Sequence, residues 1–426
     1  MLCSRVNLGG LNHDRQRTDY GGFKFQTTGK VPLDFNAHRS SGINVIAYRE
    51  LRKYLDLPPS PLYVYNVIQQ MAIVEQDVLD LFDVDTFQLG CDFDKRPEYW
   101  KGWQLEDGTP CKVPANIDIR REAGGGFIYN SKGLMIGKQP KGCQFFEQAC
   151  FPLEDDFEKD DFSDYESIAH DVMWMNVPYP PMPLDYKTPE GAKELREIAA
   201  ATRGGTDRAI YGNFGGSLVE SGHFIFRMDN FLCELLANPE RVHIFLDAVM
   251  ERHMVNLKAY LDAVGDYIDV IGFGDDMGTQ NGPQFSPEIY MEFFFPREKK
   301  MWSYIHERFR KMKICLHCCG GVRPLMPLLA EAGLDAINPV QFVCKDMALE
   351  GLKSELYGKL TLWGGGCDTR EILPRGKPET IRPHVQHNLE ILNKGGGFVF
   401  QQVHNILSDV PPANVVTMFK TVREFA

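Results

Sequence analysis

The sequence predicts a (β/α)8 barrel of the TIM type, and three observations support this fold class. The chain has 426 residues, of which 43% are hydrophobic and 24% charged, so it can bury a large core. Its second half alternates apolar strand-like segments with helical patterns six times. Two further strand-like segments precede that half, which brings the strands to the eight that a closed barrel needs. Barrels of this class often exceed about 250 residues as one unit, so we expect a single domain over 1–426.

The first two strands are expected at VPLDFN (31–36) and VDTFQL (84–89), after an N-terminal extension. Helical patterns near 43–56 and 63–82 separate them. From about 96 to 186 the strand-helix rhythm gives way to short apolar segments with Gly and Pro. This stretch is interpreted as an insertion that forms small antiparallel strands around 103–138.

The remaining six strands each precede a helical pattern. They are expected at 207–214, 267–274, 311–317, 334–338, 359–363 and 397–401. The helices are expected near 227–236, 239–264, 287–310, 322–332, 347–355, 378–393 and 411–424. The longest has Asn238 at its N-cap, Pro239 as its first residue and Gly265 just past its end, which are typical helix boundary signals.

Composition excludes several classes of protein. The net charge of −12 argues against nucleic acid as a partner, because phosphate binding needs a basic face. No segment reaches the roughly 20 apolar residues of a membrane span, and MLCSRVNLGG lacks the apolar core of a signal peptide. The eleven cysteines are unevenly scattered and do not resemble a disulfide framework. We therefore expect a soluble, cytoplasmic protein, and we leave a homodimer open.

A metal site is predicted where the fifth strand ends. His317 and Cys319 are two residues apart there, so their side chains point to the same side and can share one ion. A catalytic zinc site uses three protein ligands and keeps an open position. The third ligand must come from another strand end, where the candidates are His404, Cys367 and, less readily, an aspartate of the pair Asp275–Asp276.

Other polar residues follow the strands at the same rim of the barrel, which is where such barrels place their active sites. The candidate catalytic and substrate-contacting residues are Arg39, Asp275, Asp276, Gln280, Asn338 and Gln341. Simpler explanations are capping for the two aspartates and a plain surface position for Arg39. The turn Gly364, Gly365, Gly366 with Asp368 is assigned to cofactor binding, since a glycine-rich turn before a helix can cradle phosphate.

With these residues in view, the chain resembles the uroporphyrinogen decarboxylase superfamily. The resemblance is strongest in GDDMGTQNGPQFSPEIYMEFFFP, HCCGG, WGGGCDTREILPRGKPETI and VPPANVVTMF, and it continues more weakly through KVPLDF and SSGINVIAYRELRKYLDL. The superfamily contains the porphyrin decarboxylase and zinc-dependent methyltransferases that work with corrinoid proteins.

The motifs favour the methyltransferase branch. Its members that act on coenzyme M carry His-x-Cys and, further along, a second cysteine; here His404 occupies the place of that cysteine. The decarboxylase branch has an arginine-rich segment after the first strand and an aspartate after the second. This chain offers only Arg39 in NAHRSSG, with Asp92 and Asp94 as poor matches in QLGCDFD.

The resemblance therefore implies Zn2+ as a cofactor and a corrinoid (cobalamin) carried by a partner protein. Two histidines and one thiolate leave zinc a net charge of about +1, which makes it a stronger Lewis acid than a site with two thiolates. We expect transfer of a methyl group from a small methoxylated compound to Co(I) of the partner. The alternatives are a metal-free decarboxylase or other lyase, a methylcorrinoid-to-thiol methyltransferase, and a non-catalytic binding protein.

Overall fold

The computed structural model describes residues 30–90, 96–156, 158–177 and 185–425, and its centre is a closed parallel barrel. Strands over these residues are β1 (Val64–Asn66), β2 (Met71–Ala72), β3 (Thr86–Gln88), β4 (Trp100–Gln104), β5 (Pro110–Pro114), β6 (Asp118–Glu122), β7 (Gly125–Tyr129), β8 (Met135–Pro140), β9 (Glu147–Gln148), β10 (Ala209–Gly215), β11 (Val270–Gly274), β12 (Gly278–Thr279), β13 (Gly282–Pro283), β14 (Lys313–His317), β15 (Ala336–Asn338), β16 (Thr361–Trp363) and β17 (Phe398–Val399).

The helices surround the barrel and connect its strands. They are α1 (Val45–Tyr54), α2 (Gln76–Leu81), α3 (Tyr165–Ala169), α4 (Met173–Asn176), α5 (Pro189–Gly205), α6 (Val219–Phe226), α7 (Met228–Ala237), α8 (Pro239–Val264), α9 (Pro287–Ile289), α10 (Phe295–Arg308), α11 (Met326–Ala332), α12 (Leu349–Leu356), α13 (Ile372–Arg375), α14 (Pro378–Leu392) and α15 (Pro412–Glu424). A π-helical turn, Tyr290–Phe294, joins α9 to α10.

The barrel sheet is parallel throughout, in the order β17-β16-β15-β14-β11-β10-β3. The extended segment 31–34 closes it. Leu33 bridges Phe400 in parallel, and the Leu33 carbonyl accepts the Asp85 N–H at 2.9 Å on the other side. The predicted TIM-type barrel is thus confirmed, with the eighth strand reduced to this short segment.

Strand interiors fill the barrel with alternating large and small side chains. One buried layer contains one residue from each of six barrel strands and one residue, Ala37, that follows the segment 31–34. The layer consists of Ala37, Tyr211, Val270, Cys315, Ala336, Trp363 and Val399. The Trp363 indole N–H reaches the buried Asp34 carboxyl at 2.8 Å. The barrel is a packed core, so any site must lie at its ends.

Most predicted elements are present, and one is wrong. The helix predicted over 63–82 is helical only at α2, because residues 64–72 form the antiparallel pair β1–β2. Long-range pairing outweighs the helical pattern there: Asn44 bridges Met71, and Tyr63 bridges Lys112. Helix α6 was not predicted.

The segment predicted as an insertion contains the expected antiparallel strands. Strands β4 and β5 pair with each other, and β6 to β9 form a separate sheet. The short helices α3 and α4 follow, and α4 carries Trp174 to the mouth of the barrel. The N-terminal extension, at residues 1–29, lies outside the described residues, and the single-domain division stays a prediction.

Candidate metal centre

Three predicted ligands meet at the carboxyl end of the barrel. One ligand atom each from His317, Cys319 and His404 lies within 4.8 Å of the others. The His317 Nε2 atom is 3.4 Å from the Cys319 Sγ atom. In a tetrahedral zinc site with bonds of about 2.0 and 2.3 Å, such a nitrogen and sulfur lie about 3.5 Å apart. The donor set and its spacing therefore fit zinc.

Two asparagines fix the orientation of the imidazoles. His317 Nδ1 is 2.9 Å from Asn338 Oδ1, and His404 Nδ1 is 2.8 Å from Asn405 Oδ1. An amide oxygen only accepts hydrogen bonds, so each Nδ1 carries the proton and donates it. Each Nε2 is then the unprotonated nitrogen that a metal ion requires, which is the usual arrangement behind metal-bound histidines.

Asn338 is itself held by a buried network. Its oxygen also accepts from Ser40 Oγ at 2.6 Å, and its amide donates to the Trp363 carbonyl at 3.0 Å and to Gln401 Oε1 at 2.7 Å. With all of its hydrogen-bonding groups engaged, Asn338 is a rigid support for His317. Sequence reasoning had assigned Asn338 a substrate contact, whereas the structure places it behind a predicted ligand.

Asp276 fixes the loop that carries Cys319. Its Oδ1 atom accepts the Cys319 N–H at 2.7 Å and lies 3.7 Å from His317 Nε2. Burial, followed by the carboxylate of Asp276, raises the pKa of the Cys319 thiol well above its usual range. Burial and the neighbouring His317 lower the pKa of His404 to about 4. The two environments favour a neutral imidazole and a protonated thiol, so a metal ion that binds Cys319 would have to displace the thiol proton.

The alternative third ligand, Cys367, is placed elsewhere. It is buried, and its Sγ atom lies 3.8 Å from the Asp368 carbonyl. Among the described residues, His317, Cys319 and His404 form the one group of candidate ligands whose ligand atoms all lie within 4.8 Å of one another. Cys318 also faces away from this cluster and accepts the Met277 N–H at 3.4 Å.

Asp275 does not face the site, contrary to its predicted catalytic role. Its two oxygens accept the backbone N–H groups of Leu218, Val219 and Glu220 at 2.7, 2.9 and 2.7 Å. These are the N-terminal amides of α6, so Asp275 caps a helix, as the simpler explanation held. Burial raises the pKa of Asp275 to about 8, and the three N–H donors oppose that rise.

The predicted cofactor turn is also structural. Gly364, Gly365 and Gly366 are buried, and a Cβ atom on Gly366 would lie 2.2 Å from the Phe400 ring. Asp368 accepts the N–H groups of Arg370, Glu371 and Ile372 at 3.2, 2.8 and 3.0 Å. It caps α13, and these residues do not line the cavity at the metal cluster.

Gln280 and Gln341 stabilise loops beside the cluster. Gln280 is exposed and accepts from Arg370 at 2.9 Å, whereas Gln341 accepts the Gly320 N–H. Neither lines the cavity. The aspartates weighed for decarboxylase chemistry, Asp92 and Asp94, lie outside the described residues.

A cavity of about 340 Å³ opens beside the metal cluster. His317 and His404 form part of its wall. So do Asp276 and Arg39, which the sequence analysis predicted as candidate catalytic or substrate-contacting residues. The Arg39 guanidinium carbon lies 5.3 Å from the centre of the Trp174 ring.

Glu220 is a cavity residue that the sequence analysis missed. It lies in the first turn of α6 and accepts from Ser217 Oγ at 3.1 Å. Burial, followed by the carboxylates of Asp276 and Asp275, raises its pKa to about 8. The pattern Ser217-Leu-Val-Glu220 is a capping-box sequence and could have located both the helix and this carboxyl group.

In the described part of the chain, no helix combines the length and apolar character needed to cross a bilayer.

Comparison with known proteins agrees with this fold. The family model "Uroporphyrinogen decarboxylase (URO-D)" matches residues 191–425. A uroporphyrinogen decarboxylase of Pseudomonas fluorescens (strain Pf0-1) is 26% identical over 194 residues, which are 45% of this chain and 50% of that protein. One of Methylococcus capsulatus is 24% identical over 268 residues, 61% of this chain and 69% of that protein. The match thus spans about half the length of the first relative.

A solved structure, a methyltransferase from Methanosarcina mazei, has a similar fold. Its TM-score is 0.53 at 17% sequence identity, and the superposition covers 95% of this chain and 97% of the other. At this identity the likeness is one of fold.

Proposed function

The chain belongs to the uroporphyrinogen decarboxylase family, and we propose that it is a zinc-dependent methyltransferase within that family. It would move a methyl group from a small methoxylated compound to the Co(I) corrinoid of a partner protein. The observation that carries this proposal is the convergence of His317, Cys319 and His404 within 4.8 Å beside a cavity.

The ligand charges favour the donor half of corrinoid methyl transfer. Two neutral imidazoles and one thiolate would leave a bound zinc ion a net charge of about +1. Such an ion would act as a Lewis acid, and it would make the ether oxygen of a methyl donor a better leaving group. A site that activates a thiol acceptor is better served by the lower charge of a second thiolate, which Cys367 does not provide here.

The chain's own residues would then position the donor and supply the proton that the departing oxygen needs. In the proposed transfer, the methyl–oxygen bond would break with its electron pair left on oxygen, and the new carbon–cobalt bond would use an electron pair of the Co(I) acceptor, which enters as the second substrate. The departing oxygen needs a proton, and Glu220 is the carboxyl in the cavity wall whose raised pKa lets it hold one. Asp276 keeps the Cys319 loop in place.

Porphyrin decarboxylation is less well supported by the cavity. Among the described residues in its wall, the charged side chains are one arginine, Arg39, and two carboxyls, Glu220 and Asp276. A tetrapyrrole with several carboxylates needs a basic wall, and 340 Å³ is near the lower end of the roughly 300–1,000 Å³ of small-molecule pockets.

The test measures zinc content and corrinoid methylation in the same preparations. We expect stoichiometric zinc in the wild-type protein, and loss of both zinc and methylation in His317→Ala, Cys319→Ala and His404→Ala. Methylation is followed by the absorbance change when cob(I)alamin, used as a surrogate acceptor, gains a methyl group from a methoxylated compound. Cys233→Ala is the matched control, because Cys233 is exposed on α7. Full methylation by a zinc-free variant would refute the proposal.

A further inference from the structure

A closed ring of three hydrogen bonds lies buried behind the predicted zinc ligand His317. Ser40 Oγ donates to Asn338 Oδ1 at 2.6 Å, and Asn338 Nδ2 donates to Gln401 Oε1 at 2.7 Å. Gln401 Nε2 completes the ring by donating to the Ser40 carbonyl at 3.1 Å. These three residues are at most 1% exposed, so water does not replace any bond that breaks. Opening the ring therefore leaves a buried polar group without a partner.

The ring connects three separate parts of the barrel. Asn338 is the last residue of β15, and Gln401 follows β17. Ser40 belongs to the short helical turn Arg39–Ser41, which comes after the closing segment 31–34. The same segment is bound to the sheet through the Asp34 N–H, which donates to the Phe400 carbonyl at 2.8 Å. The segment that closes the barrel is thus bonded both to the sheet and to the support of His317.

The direction of the Ser40 hydroxyl is fixed by its neighbours. A serine hydroxyl has one proton, and here that proton points at Asn338 Oδ1. The Ser40 oxygen accepts from the other two neighbours, His38 Nδ1 at 3.1 Å and Gln401 Nε2 at 3.3 Å. The His38 ring stacks on Tyr211, with 5.1 Å between the ring centres and 29° between the planes. Ser40 is therefore held in one orientation as a donor to Asn338.

We propose that Ser40 is a positioning residue for the zinc ligand His317, and that the metal site is complete only when segment 31–34 has closed the barrel. Asn338 Oδ1 accepts from Ser40 and from His317 Nδ1. If Ser40 is withdrawn, His38 loses the acceptor of its Nδ1 proton and competes with His317 for Asn338. The inference rests on the zinc site of the proposed function and adds a link between that site and the closure of the fold.

The link acts in both directions. If closure of the segment improves zinc binding, bound zinc must stabilise the closed segment by the same factor, because coupled equilibria are reciprocal. An ion at 100 times its dissociation constant lowers the population of an open form that cannot bind it about 100-fold. Zinc should therefore slow the opening of a segment that contains no zinc ligand itself.

Hydrogen exchange of the full-length protein, followed by mass spectrometry, tests the link. In the wild type, zinc at about 100 times its dissociation constant should slow exchange in the peptide 31–41 at least about tenfold. In Ser40→Ala at the same saturation, the slowing should be less than about threefold. Strands β6 and β7 belong to a separate sheet and serve as the internal reference. Equal zinc protection of 31–41 in both proteins would overturn the inference.

Zinc affinity, measured by competition with a chromophoric chelator, provides a second readout. Ser40→Ala should bind zinc about three- to tenfold more weakly, and the absorption bands of its Co2+ form should shift. Ser221→Ala is the matched control, because Ser221 is also buried but donates to the Ser217 carbonyl, at 2.6 Å. Gln401→Met opens the same ring from β17 and should act as Ser40→Ala does, so the test does not depend on one variant. Wild-type zinc affinity and Co2+ spectra in both ring variants would also overturn the inference.

The two proposals fail separately. Zinc protection of 31–41 that needs Ser40, without any methylation of cob(I)alamin, would refute the methyltransferase function and leave the link standing. Zinc binding and methylation that are both unchanged in Ser40→Ala would overturn only the link. A wild-type protein that binds no zinc would overturn both.

Discussion

Asn405 offers the most direct test of whether His404 is a zinc ligand. Its Oδ1 atom accepts from His404 Nδ1 at 2.8 Å, and the residue is only 6% exposed. The other contact of its side chain is a weak one, from Nδ2 to the sulfur of Met71 at 3.4 Å. Asn405→Leu therefore removes one important hydrogen bond and little else.

The expected size of the effect follows from that contact. Without the asparagine, the Nδ1–H of His404 is buried with no acceptor, which costs about 1–3 kcal/mol. The imidazole is also free to turn or to carry its proton on Nε2, the nitrogen that would bind zinc. Both effects act on the metal-bound form, so we expect zinc affinity to fall about 10–100-fold, or about 1.4–2.7 kcal/mol.

Competition with a chromophoric zinc chelator at neutral pH measures this change. Asn405→Asp restores an acceptor at the same position, so its zinc affinity should return to the wild-type value or exceed it. Urea denaturation of the metal-free proteins shows whether the fold is intact. Wild-type zinc affinity in a folded Asn405→Leu protein would show that His404 does not bind the ion, and the charge argument for the donor half would then fail.

Three further predictions concern the fold around the site. Asp275→Asn should destabilise the protein by about 2–4 kcal/mol in urea denaturation, because one carboxamide oxygen cannot cap the three amides of α6; an unchanged midpoint would show that the cap is dispensable. Gly366→Ala should cost about 3 kcal/mol through its clash with Phe400, whereas Gly204→Ala, where the added Cβ meets nothing within 4 Å, should leave stability unchanged or slightly higher. Burial lowers the pKa of His223 to about 4, so its neutral ring is favoured in the fold and its contribution to stability is lost as pH falls from 6.5 towards 4. That loss is up to about 3 kcal/mol, and His223→Leu should flatten the pH dependence of unfolding over that window; identical slopes would contradict the assignment.

Local patterns predicted the barrel well because each strand-helix unit carries its own signals. Helix α8 begins at Pro239 and ends before Gly265, as its boundary residues indicate. The helix predicted over 63–82 failed for the opposite reason. Residues such as Met71 pair with Asn44, far away in the chain, and no local pattern contains that information.

The sequence predicted those parts of the site that lie at the ends of predicted strands. His317 and Cys319 come from one strand end, so their proximity follows from sequence spacing. Asp275 and Asp276 are neighbours in sequence, yet one caps α6 and the other faces the cavity. Which aspartate caps the helix and which faces the cavity depends on the position of α6. The sequence analysis predicted neither α6 nor the cavity residue Glu220, which lies on it.

The way the barrel closes has a consequence for how the protein is made. Segment 31–34 completes the sheet by bonding to Phe400 and to Asp85, so the last strand of the barrel joins almost the first described residues. On the ribosome, residues 31–34 emerge long before Phe400, their partner in the sheet, is synthesised. We therefore expect the barrel to close only after residue 400 has left the ribosome, with high contact order and slow folding. Until then, the nascent chain exposes a sheet edge whose backbone groups have no partner strand, and a chaperone could bind this edge.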